Sequence, residues 1–364
     1  MKICFIVGSF PYMDCGVGDY TSMIAKALAN LENEVSVITS KKANNEAKDV
    51  HIYNIIDKFN YKSIDKIIHK LKEINPDVVN IQYPSHGFYN RKITSILLPI
   101  EIKRKLKNVK LVETVHEYPK YSWKGKCVYW INYKIMDKTI FVEENYKELI
   151  KKDFKKVYKK MNISCIPIGA NISKSKLSEN EKEKLKEKLG LENKKIISYF
   201  GFARPSKGIE NLFKAVSLID DENVKLLYIG DLKENNDYQK KLLYLMDELK
   251  IKDNVIMTGY VPKSEKVADY LYISDICVLP FTEGVRSRYS SFLAACNQQI
   301  KIITTAMNDK LDEEGIYYIK PNDSKLLAEK IEDVIYNTDI KSNKKIKDWD
   351  EIAKQYIIAY NEIK

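Results

Sequence analysis

The sequence predicts an α/β protein of two domains, each built around a doubly wound parallel sheet. The chain has 364 residues, more than one hydrophobic core usually organises. Short apolar runs alternate with helix-length segments, and these runs are continuous, as in strands that are covered on both faces. The alternation restarts after a lysine-rich stretch in the middle of the chain, so a second sheet is expected.

The first series of strands begins at the N-terminus. The run KICFIV is interpreted as a buried strand, because its apolar stretch is too short for a signal peptide. A helix is predicted from about Asp19 to Leu31, followed by the strands EVSVIT, DVVNIQ, VKLVETV and KTIFV. The first domain is predicted to span residues 1–172.

The second series follows the charged stretch SENEKEKLKEKLG, which is interpreted as a solvated helix. Its predicted strands are IISYFGF, VKLLYIGD, NVIMTGYV, ICVLPF and IKIITT, and this domain is predicted to span residues 173–345. Residues 346–364 are predicted to form a packed terminal helix, since apolar side chains recur there at helical spacing. These are Ile352, Tyr356, Ile357, Tyr360 and Ile363.

The composition excludes several classes of protein. A chain with 45% hydrophobic and 30% charged residues is typical of a globular protein, and no apolar run reaches the roughly 18 residues of a membrane span. The six cysteines form no C-x-x-C pair and the four histidines lack metal-ligand spacing. We therefore expect a cytoplasmic protein without a disulfide framework or a metal.

The net charge of +11 has two interpretations. The lysines either coat solvated helices or attract anions, such as nucleotide phosphates or an anionic membrane surface. Nucleic acid is not expected, because basic residues alternate with acidic ones and no nucleic-acid module is present. Two basic stretches are candidates for peripheral contact with the inner membrane face, namely EIKRKLKNVK and KKDFKKVYKK. The aromatic segment EYPKYSWKGKCVYW is a candidate for an additional apolar contact with that surface.

Ligands of parallel sheets bind at the carboxyl ends of the strands, so the loops there are candidate sites. Gly16 and Gly18 follow the first strand and would let the backbone approach a ligand; a flexible turn capped by Asp19 explains them equally well. His116 ends the run VKLVETV, beside Glu117. It would donate to a sugar hydroxyl or exchange a proton, or it is a structural histidine.

A further polar group lies at the end of DVVNIQ and just beyond it. Asn80, Gln82 and Tyr83 carry amide and phenol groups suited to the hydroxyls of a polyol. The alternative is that they cap a loop.

Arginine is informative in this chain, because only five of its 61 basic residues are arginines. Arg204 and Lys207 lie between the predicted strand IISYFGF and the predicted helix GIENLFKAV. Arginine presents a planar, permanently charged fork that matches phosphate oxygens, and lysine adds a compact charge. The pair is therefore predicted to bind a diphosphate.

A second arginine pair follows the run ICVLPF, in the segment TEGVRSRYSSFLAAC. Arg286 and Arg288 precede Ser290 and Ser291 at the start of a predicted helix, and together they would form an anion site. Surface salt bridges for the arginines and helix capping for the serines are the alternatives.

These motifs resemble those of the large family 4 of retaining nucleotide-sugar glycosyltransferases, whose GT-B architecture has two Rossmann-like domains facing a cleft. CGVGDYT is similar to the family's Gly-rich acceptor-side loop, FGFARPSKGIENLFKA to its diphosphate loop, and NVIMTGYVP to its base-binding loop. SDICVLPFTEGVRSRYSSFLAA resembles the donor loop. DWDEIAKQY resembles the terminal helix that packs back on the first domain. The resemblance covers nearly the whole chain.

The resemblance implies a role for each matching residue. Arg204 and Lys207 would hold the donor diphosphate, and His116 would lie near the transferred sugar, which makes these three the candidate catalytic residues. Asn80, Gln82, Tyr83 and Glu117 would lie on the acceptor side. The implied donor-binding residues are Gly16, Gly18, Gly259, Tyr260, Val261, Glu283, Gly284, Arg286, Arg288, Ser290 and Ser291.

The chain also departs from the family pattern. Many members carry two glutamates eight residues apart in the donor loop, and these positions fall on Arg286 and Ala294 here, with Glu283 out of register. Cys15 replaces the first glycine of the acceptor-side loop. Gln299 and Lys301 stand where a glycine and a proline are usual.

The implied function is transfer of a sugar from a nucleotide-diphosphate sugar to a hydroxyl acceptor, with retention, in the synthesis of surface polysaccharide, glycolipid or glycoconjugate. The identity of the acceptor is left open, and a lipid-linked acceptor is one of the candidates. Cationic side chains and helix-start amides would stabilise the leaving diphosphate, so no cofactor or metal is expected. Two alternatives stay open: a catalytically silent scaffold with this fold, because the glutamates are missing, and a nucleotide-sugar epimerase.

Overall fold

The computed structural model describes residues 1–11, 13, 15–43, 49–84, 92–118, 130–308, 310–337 and 340–363, with only the backbone at 92–95. Most of the aromatic segment EYPKYSWKGKCVYW, including Cys127, lies outside these residues. The chain divides into two compact units. The first comprises Met1–Gly169 with Lys347–Lys364, and the second comprises Ala170–Ile346.

The first unit contains a parallel sheet of seven strands among its described residues, in the order β3-β2-β1-β4-β5-β6-β7. Its apolar strands are covered by helices on both faces, as predicted for a doubly wound sheet. The strands are Lys2–Ile6 (β1), Glu34–Ser40 (β2), Val50–Ile56 (β3), Val78–Tyr83 (β4), Lys110–Val115 (β5), Lys138–Phe141 (β6) and Ile163–Cys165 (β7). The labelled helices are Gly16–Asn30 (α1), Tyr61–Ile74 (α2), Lys92–Lys105 (α3), Asn145–Asp153 (α4), Lys155–Tyr158 (α5) and Trp349–Asn361 (α12).

The described part of the second unit contains a six-stranded parallel sheet in the order β10-β9-β8-β11-β12-β13. Its strands are Lys195–Phe200 (β8), Val224–Ile229 (β9), Val255–Met257 (β10), Ile276–Leu279 (β11), Lys301–Thr305 (β12) and Ile316–Ile319 (β13). Its helices are Glu179–Lys188 (α6), Ile209–Leu218 (α7), Asp237–Glu248 (α8), Ser264–Tyr272 (α9), Ser290–Asn297 (α10) and Ser324–Asn337 (α11), with short 3₁₀ turns at Pro205–Lys207 and Lys252–Asn254.

Helix α1 begins three residues earlier than predicted. Cys15 is its N-cap residue, with an extended backbone, and the amide of Asp19 already donates to the carbonyl oxygen of Cys15 at 3.1 Å. Gly16 and Gly18 therefore lie in the first turn of the helix, and Asp19 does not cap it.

The terminal helix α12 is part of the core of the first unit. Its N-terminus is fixed by a capping box, in which Asp348 accepts from the amide of Glu351 at 2.7 Å. Ile352, Tyr356 and Tyr360 are fully buried against α1 and the sheet. The helical spacing in the sequence thus corresponds to a buried face.

No helix in the described part of the chain combines the length and the apolar character that crossing a bilayer requires.

Candidate active site

The second unit brings the two predicted arginine loops together. Strands β8 and β11 are neighbours, and the strand order reverses between them, which is where open parallel sheets bind ligands. The loop after β8 holds Arg204 and Lys207, and the loop after β11 begins at Pro280. The two loops are hydrogen-bonded to each other, since the amide of Thr282 donates to the carbonyl oxygen of Ser206 at 3.2 Å.

Lys207 lies against two aromatic rings. Its Nζ is 4.7 Å from the ring centre of Phe281 and 4.8 Å from that of Tyr289. Burial, together with the positive charges of Arg204 and Arg288, lowers the pKa of Lys207 to about 8. We call Arg204, Lys207 and Arg288 the cation cluster.

Arg204 and Lys207 concentrate positive charge in this cluster. Within the described chain, no carboxylate lies within ion-pair distance of Arg204 or Lys207, and the charges that perturb Lys207 are all positive. Such a concentration of like charge is unfavourable in the empty protein and becomes favourable when an anion binds. The arrangement is thus able to bind a multiply charged anion.

Arg286 lies close to a carboxylate of its own loop. Its guanidinium lies 3.5 Å from the carboxylate of Glu283, which is 68% exposed. The alternative of a surface salt bridge therefore describes Arg286. Gly284 forms the turn between Glu283 and Arg286 with a backbone φ of 77°, a conformation that favours glycine.

Helix α10 starts beside the cation cluster. Its N-cap residue is Tyr289, so Ser290 and Ser291 occupy the first two helical positions and neither side chain caps the helix. Ser290 is exposed, whereas Ser291 is 3% exposed and its Oγ has no hydrogen-bond partner among the described residues. This hydroxyl and the free amides of the first turn are donors for a bound oxygen.

Two further glycines, which were not predicted as site residues, follow β8 and β9. Gly201 and Gly230 have φ values of 150° and 156°, which side-chain-bearing residues rarely adopt. A Cβ on Gly201 would lie 3.3 Å from the hydroxyl of Tyr199 and 3.9 Å from the Cβ of Ser291. The signal that identifies them is local: each glycine directly follows a buried strand, in FGF and YIGD.

The predicted base-binding loop follows β10. Gly259 has a φ of 69° and open space where a Cβ would be, and Tyr260 is 74% exposed. Val261 packs partly against the core of the unit. Thr258 fixes the loop to the neighbouring strand, because its Oγ1 accepts from the amide of Gly230 at 3.2 Å.

The first unit places His116 directly after β5, where it is only 4% exposed. Its ring contacts the ring of Tyr20 edge-on, with centroids 4.6 Å apart, and its Nε2 lies 2.8 Å from Gln82 Oε1. His116 is thus held firmly, with little of its surface open to a ligand.

The amide side chains predicted on the acceptor side are inside the protein. Asn80 lies in the middle of β4 rather than at its end, and Asn80 and Gln82 are both 0% exposed. Their amides bond to each other and to neighbouring side chains, so they are not positioned to bind an acceptor in this structure. Tyr83 is also buried, within the core. Glu117 is half-buried.

Gly16 and Gly18 also have different surroundings. A Cβ on Gly18 would lie 2.7 Å from the carbonyl oxygen of Ser9, so this glycine lets the loop after β1 pack on the helix rather than admit a ligand. Gly16 is exposed and has nothing within 4 Å of its Cβ position. Of these two glycines, Gly16 is therefore the one that leaves room for a ligand.

Family models match two successive parts of the chain. Residues 15–174 match the model described as Glycosyltransferase Family 4, and residues 181–356 match the model described as Glycosyl transferases group 1. Among curated proteins, TuaC of Bacillus subtilis (strain 168), assigned to teichuronic acid biosynthesis as a glycosyltransferase, is 28% identical over 173 residues. The matched segment covers 46% of this chain and 40% of that relative, so less than half of TuaC is spanned.

Two solved structures share the fold over nearly the full length of this chain. Sucrose-phosphate synthase from Thermosynechococcus elongatus has a TM-score of 0.74 at 18% identity, covering 99% of this chain and 98% of that one. HepE of Anabaena, in complex with UDP and glucose, has a TM-score of 0.71 at 17% identity, covering 100% and 98%. At these identities the likeness establishes the fold alone.

The fold and the family matches together define the class of protein. The chain belongs to the glycosyltransferases with the GT-B fold: a family 4 segment precedes a group 1 segment, and the two sheets are those of a GT-B protein. The predicted fold class and the predicted glycosyltransferase family are therefore confirmed, whereas retention of configuration stays a prediction.

Proposed function

We propose that this protein transfers a sugar from a nucleoside diphosphate sugar to a hydroxyl group of an acceptor, with retention of the anomeric configuration. The bond between the sugar C1 and the diphosphate breaks, a bond from C1 to the acceptor oxygen forms, and the acceptor hydroxyl releases its proton. The diphosphate leaves with increased negative charge, and stabilising that charge is the main requirement for catalysis.

The cation cluster is the observation that carries this proposal. Arg204, Lys207 and Arg288 concentrate positive charge at the topological switch point of the second sheet, next to the start of α10. In the proposed mechanism these side chains, with the Ser291 hydroxyl and the helix-start amides, bind the diphosphate and stabilise it as it leaves. The mechanism assigns this role to protein groups and not to a metal ion.

The names of the relatives support the choice of substrates. HepE was solved with UDP and glucose, so UDP-sugars are the first donors to test. TuaC is assigned to teichuronic acid synthesis, which supports an acceptor in surface polysaccharide synthesis. We propose that His116 acts near the transferred sugar, on the side of the first unit.

Turnover tests the proposal directly. Release of nucleoside diphosphate would be followed with a panel of UDP-, GDP- and ADP-sugars and short saccharide acceptors. Arg288→Ala should lower kcat/KM about 10²–10³-fold, because a charge-assisted contact to the leaving group is lost. Arg286→Ala in the same loop is the matched control, and it should change kcat/KM by less than about fivefold. Equal losses in both variants would contradict the assignment of the cation cluster.

We further propose a peripheral membrane contact, made by residues 151–160. This stretch includes six exposed lysines, and none of them has an ion-pair partner in the described chain: Lys151, Lys152, Lys155, Lys156, Lys159 and Lys160. Its one acidic residue, Asp153, accepts a hydrogen bond from the hydroxyl of Tyr118 at 2.6 Å. Each lysine near an anionic lipid surface contributes about 1 kcal/mol of attraction.

The other basic stretch, residues 101–110, is less suited to this contact. Glu101 pairs with Arg104 and Lys105, and Lys103 pairs with Asp137. Much of its positive charge is therefore neutralised locally, as expected of a solvated helix.

Vesicle co-sedimentation tests the membrane contact. The wild type should bind vesicles that contain anionic phosphatidylglycerol and not vesicles of phosphatidylcholine, with binding weakened by salt. Changing Lys155, Lys156, Lys159 and Lys160 to glutamate should abolish binding. The matched control changes four lysines of α6 to glutamate, namely Lys182, Lys184, Lys186 and Lys188. Binding that is lost equally in both variants would show a net-charge effect and contradict the proposed surface.

A further inference from the structure

Two aromatic rings of the second unit face the ammonium of Lys207. Its Nζ lies 4.7 Å from the ring centre of Phe281 and 4.8 Å from that of Tyr289. The rings also contact each other, with centroids 4.6 Å apart and planes inclined at 54°, and we call them the aromatic pair. The negative potential at the face of an aromatic ring attracts a cation, more strongly where water is excluded.

The aromatic pair is itself held in place. Phe281 is 2% exposed, and its carbonyl oxygen accepts a hydrogen bond from Thr305 Oγ1 at 2.5 Å. Tyr289 is the N-cap residue of α10, and its carbonyl oxygen accepts from the amide of Leu293 at 2.9 Å. Lys207 ends the 3₁₀ turn after β8, so its backbone is fixed as well. The part that still has to be positioned is the flexible lysine side chain.

The electrostatic surroundings of Lys207 favour an outward orientation of this side chain. The charged groups that act on it are Arg204 and Arg288, and both are positive. The phenol of Tyr289 is the titratable group of the aromatic pair that faces it. Like charges repel, and the long carbon stem of a lysine lets its ammonium reach solvent. An attractive partner is therefore required to keep the ammonium beside the two guanidinium groups.

A ring face holds a cation in a different way from a carboxylate. A carboxylate would neutralise the ammonium and compete with phosphate oxygens for it. An aromatic ring has no net charge, so it attracts the cation and leaves the positive charge available to an anion. Among the residues that the structure describes, no carboxylate lies within ion-pair distance of Lys207. Contact with rings thus preserves the positive charge of the cation cluster.

We propose that Phe281 and Tyr289 are positioning residues, whose ring faces keep the Lys207 ammonium in the cation cluster without neutralising it. The consequence for diphosphate binding rests on the proposed function, whereas the protonation of Lys207 is a property of the protein without a ligand. Because a ring face favours the charged form of the amine, loss of either ring should lower the pKa of Lys207 below its value of about 8.

Nuclear magnetic resonance of protein labelled with ¹³C at the lysine Cε measures this titration directly. The signal that titrates near pH 8 is assigned to Lys207 by its loss in Lys207→Arg. Tyr289→Leu and Phe281→Leu keep an apolar side chain but remove the ring, and each should lower the midpoint by about half a pH unit. Tyr289→Phe keeps the ring and should keep the wild-type midpoint.

Phe292→Leu is the matched control for loss of packing. Phe292 lies in α10 and is 2% exposed, like Phe281, but its ring lies 5.9 Å from the ammonium of Lys344 rather than against Lys207. This variant should keep the wild-type midpoint. The proposal is overturned if the midpoint stays the same or rises in Tyr289→Leu, because the rings then affect Lys207 only through burial. It is also overturned if Phe292→Leu lowers the midpoint as much.

Nucleotide binding separates this inference from the proposed function. If both hold, Tyr289→Leu should weaken the binding of UDP, GDP or ADP about two- to fivefold at pH 8, because less of Lys207 is charged, and Tyr289→Phe should bind like the wild type. A wild type that binds no nucleotide would overturn the proposed function. The titration of Lys207 would still decide the role of the aromatic pair.

Discussion

Gly208 and Pro280 are in direct backbone contact: a Cβ on Gly208 would lie 1.9 Å from the carbonyl oxygen of Pro280. Gly208 ends the 3₁₀ turn that holds Lys207, and Pro280 opens the loop that leads to Arg288. This contact keeps the two loops of the cation cluster adjacent. The contact with Pro280 requires a residue without a side chain at position 208.

Gly208→Ala should therefore destabilise the second unit and weaken nucleotide binding. The new methyl group would force the two loops apart and would also strain a backbone with a φ of 67°. Gly190→Ala is the matched control, since Gly190 has a φ of 66° but nothing within 4 Å of its Cβ position. We expect Gly208→Ala to cost about 2–4 kcal/mol more than the control in urea unfolding. Equal costs would show that backbone strain alone, and not the contact with Pro280, requires the glycine.

The pKa of Lys207 predicts how nucleotide affinity depends on pH. Burial and the two neighbouring arginines lower this pKa to about 8, so the ammonium is charged below pH 8 and neutral above it. Diphosphate affinity should fall as the pH rises from 7 to 9, and calorimetric titration measures this. Lys207→Arg stays charged over this range and should remove the dependence. A wild-type affinity that is constant from pH 7 to 9 would be inconsistent with a role for the Lys207 charge.

Glu113 predicts a second pH dependence, in the stability of the first unit. This carboxyl is fully buried in β5, and burial raises its pKa from an ordinary value of 4.5 to about 8, although Asn132 donates a hydrogen bond to it at 3.4 Å. The folded state therefore holds a proton that the unfolded state releases above about pH 4.5. Stability is fully retained below that pH and is lost as the pH rises through about 8.

Glu113→Gln should remove this loss, because an amide stays neutral at every pH. We expect the variant to be about 1–3 kcal/mol more stable than the wild type at pH 8 and close to it at pH 4.5, as measured by urea unfolding. Glu148→Gln, at an exposed position on α4, should have no such effect. If Glu113→Gln follows the wild-type pH profile, Glu113 is not the group that titrates.

An ion pair fixes the end of the terminal helix. Lys138 is almost completely buried in β6, and its Nζ bonds to the carboxylate of Glu362 and, at 3.0 Å, to Asn162 Oδ1. Glu362→Ala leaves the ammonium of Lys138 with Asn162 alone, and we expect a loss of about 1–3 kcal/mol in thermal or urea unfolding. Lys354→Ala, at an exposed position on the same helix, should change stability by less than about 0.5 kcal/mol. If Glu362→Ala leaves the free energy of unfolding unchanged, the ion pair does not stabilise the protein.

Local sequence predicted much of the fold, because strands buried on both faces give continuous apolar runs. IISYFGF and KICFIV correspond to β8 and β1 on this basis. The strands β3, β7 and β13 were missed, and all three lie at sheet edges. VHIYNII and ISC are only partly buried, and the apolar run IYYI is short. The helix that starts at Gly16 was placed too late because glycine has a low helix propensity.

The candidate site was predictable where residue type is informative and not where it depends on strand order. The rarity of arginine identified Arg204 and Arg288, but their proximity follows from the pairing of β8 with β11, which local sequence does not encode. In the same way, Gln82 reaches His116 because β4 pairs with β5. Asn80 and Gln82 thus have polar side chains of the kind that bind ligands, but both are buried and form hydrogen bonds inside the protein.

The central claim is that the cation cluster binds a nucleoside diphosphate, and thermal unfolding with added nucleotide tests it most directly. Wild-type protein would be compared with Arg204→Ala and with Arg104→Ala, an exposed arginine of α3 that pairs with Glu101. At about 100 times Kd a ligand stabilises the native state by about 2.7 kcal/mol. We predict that UDP, GDP or ADP raises the Tm of the wild type and of Arg104→Ala but not that of Arg204→Ala. An equal rise in all three proteins, or no rise with any nucleotide, would contradict the claim.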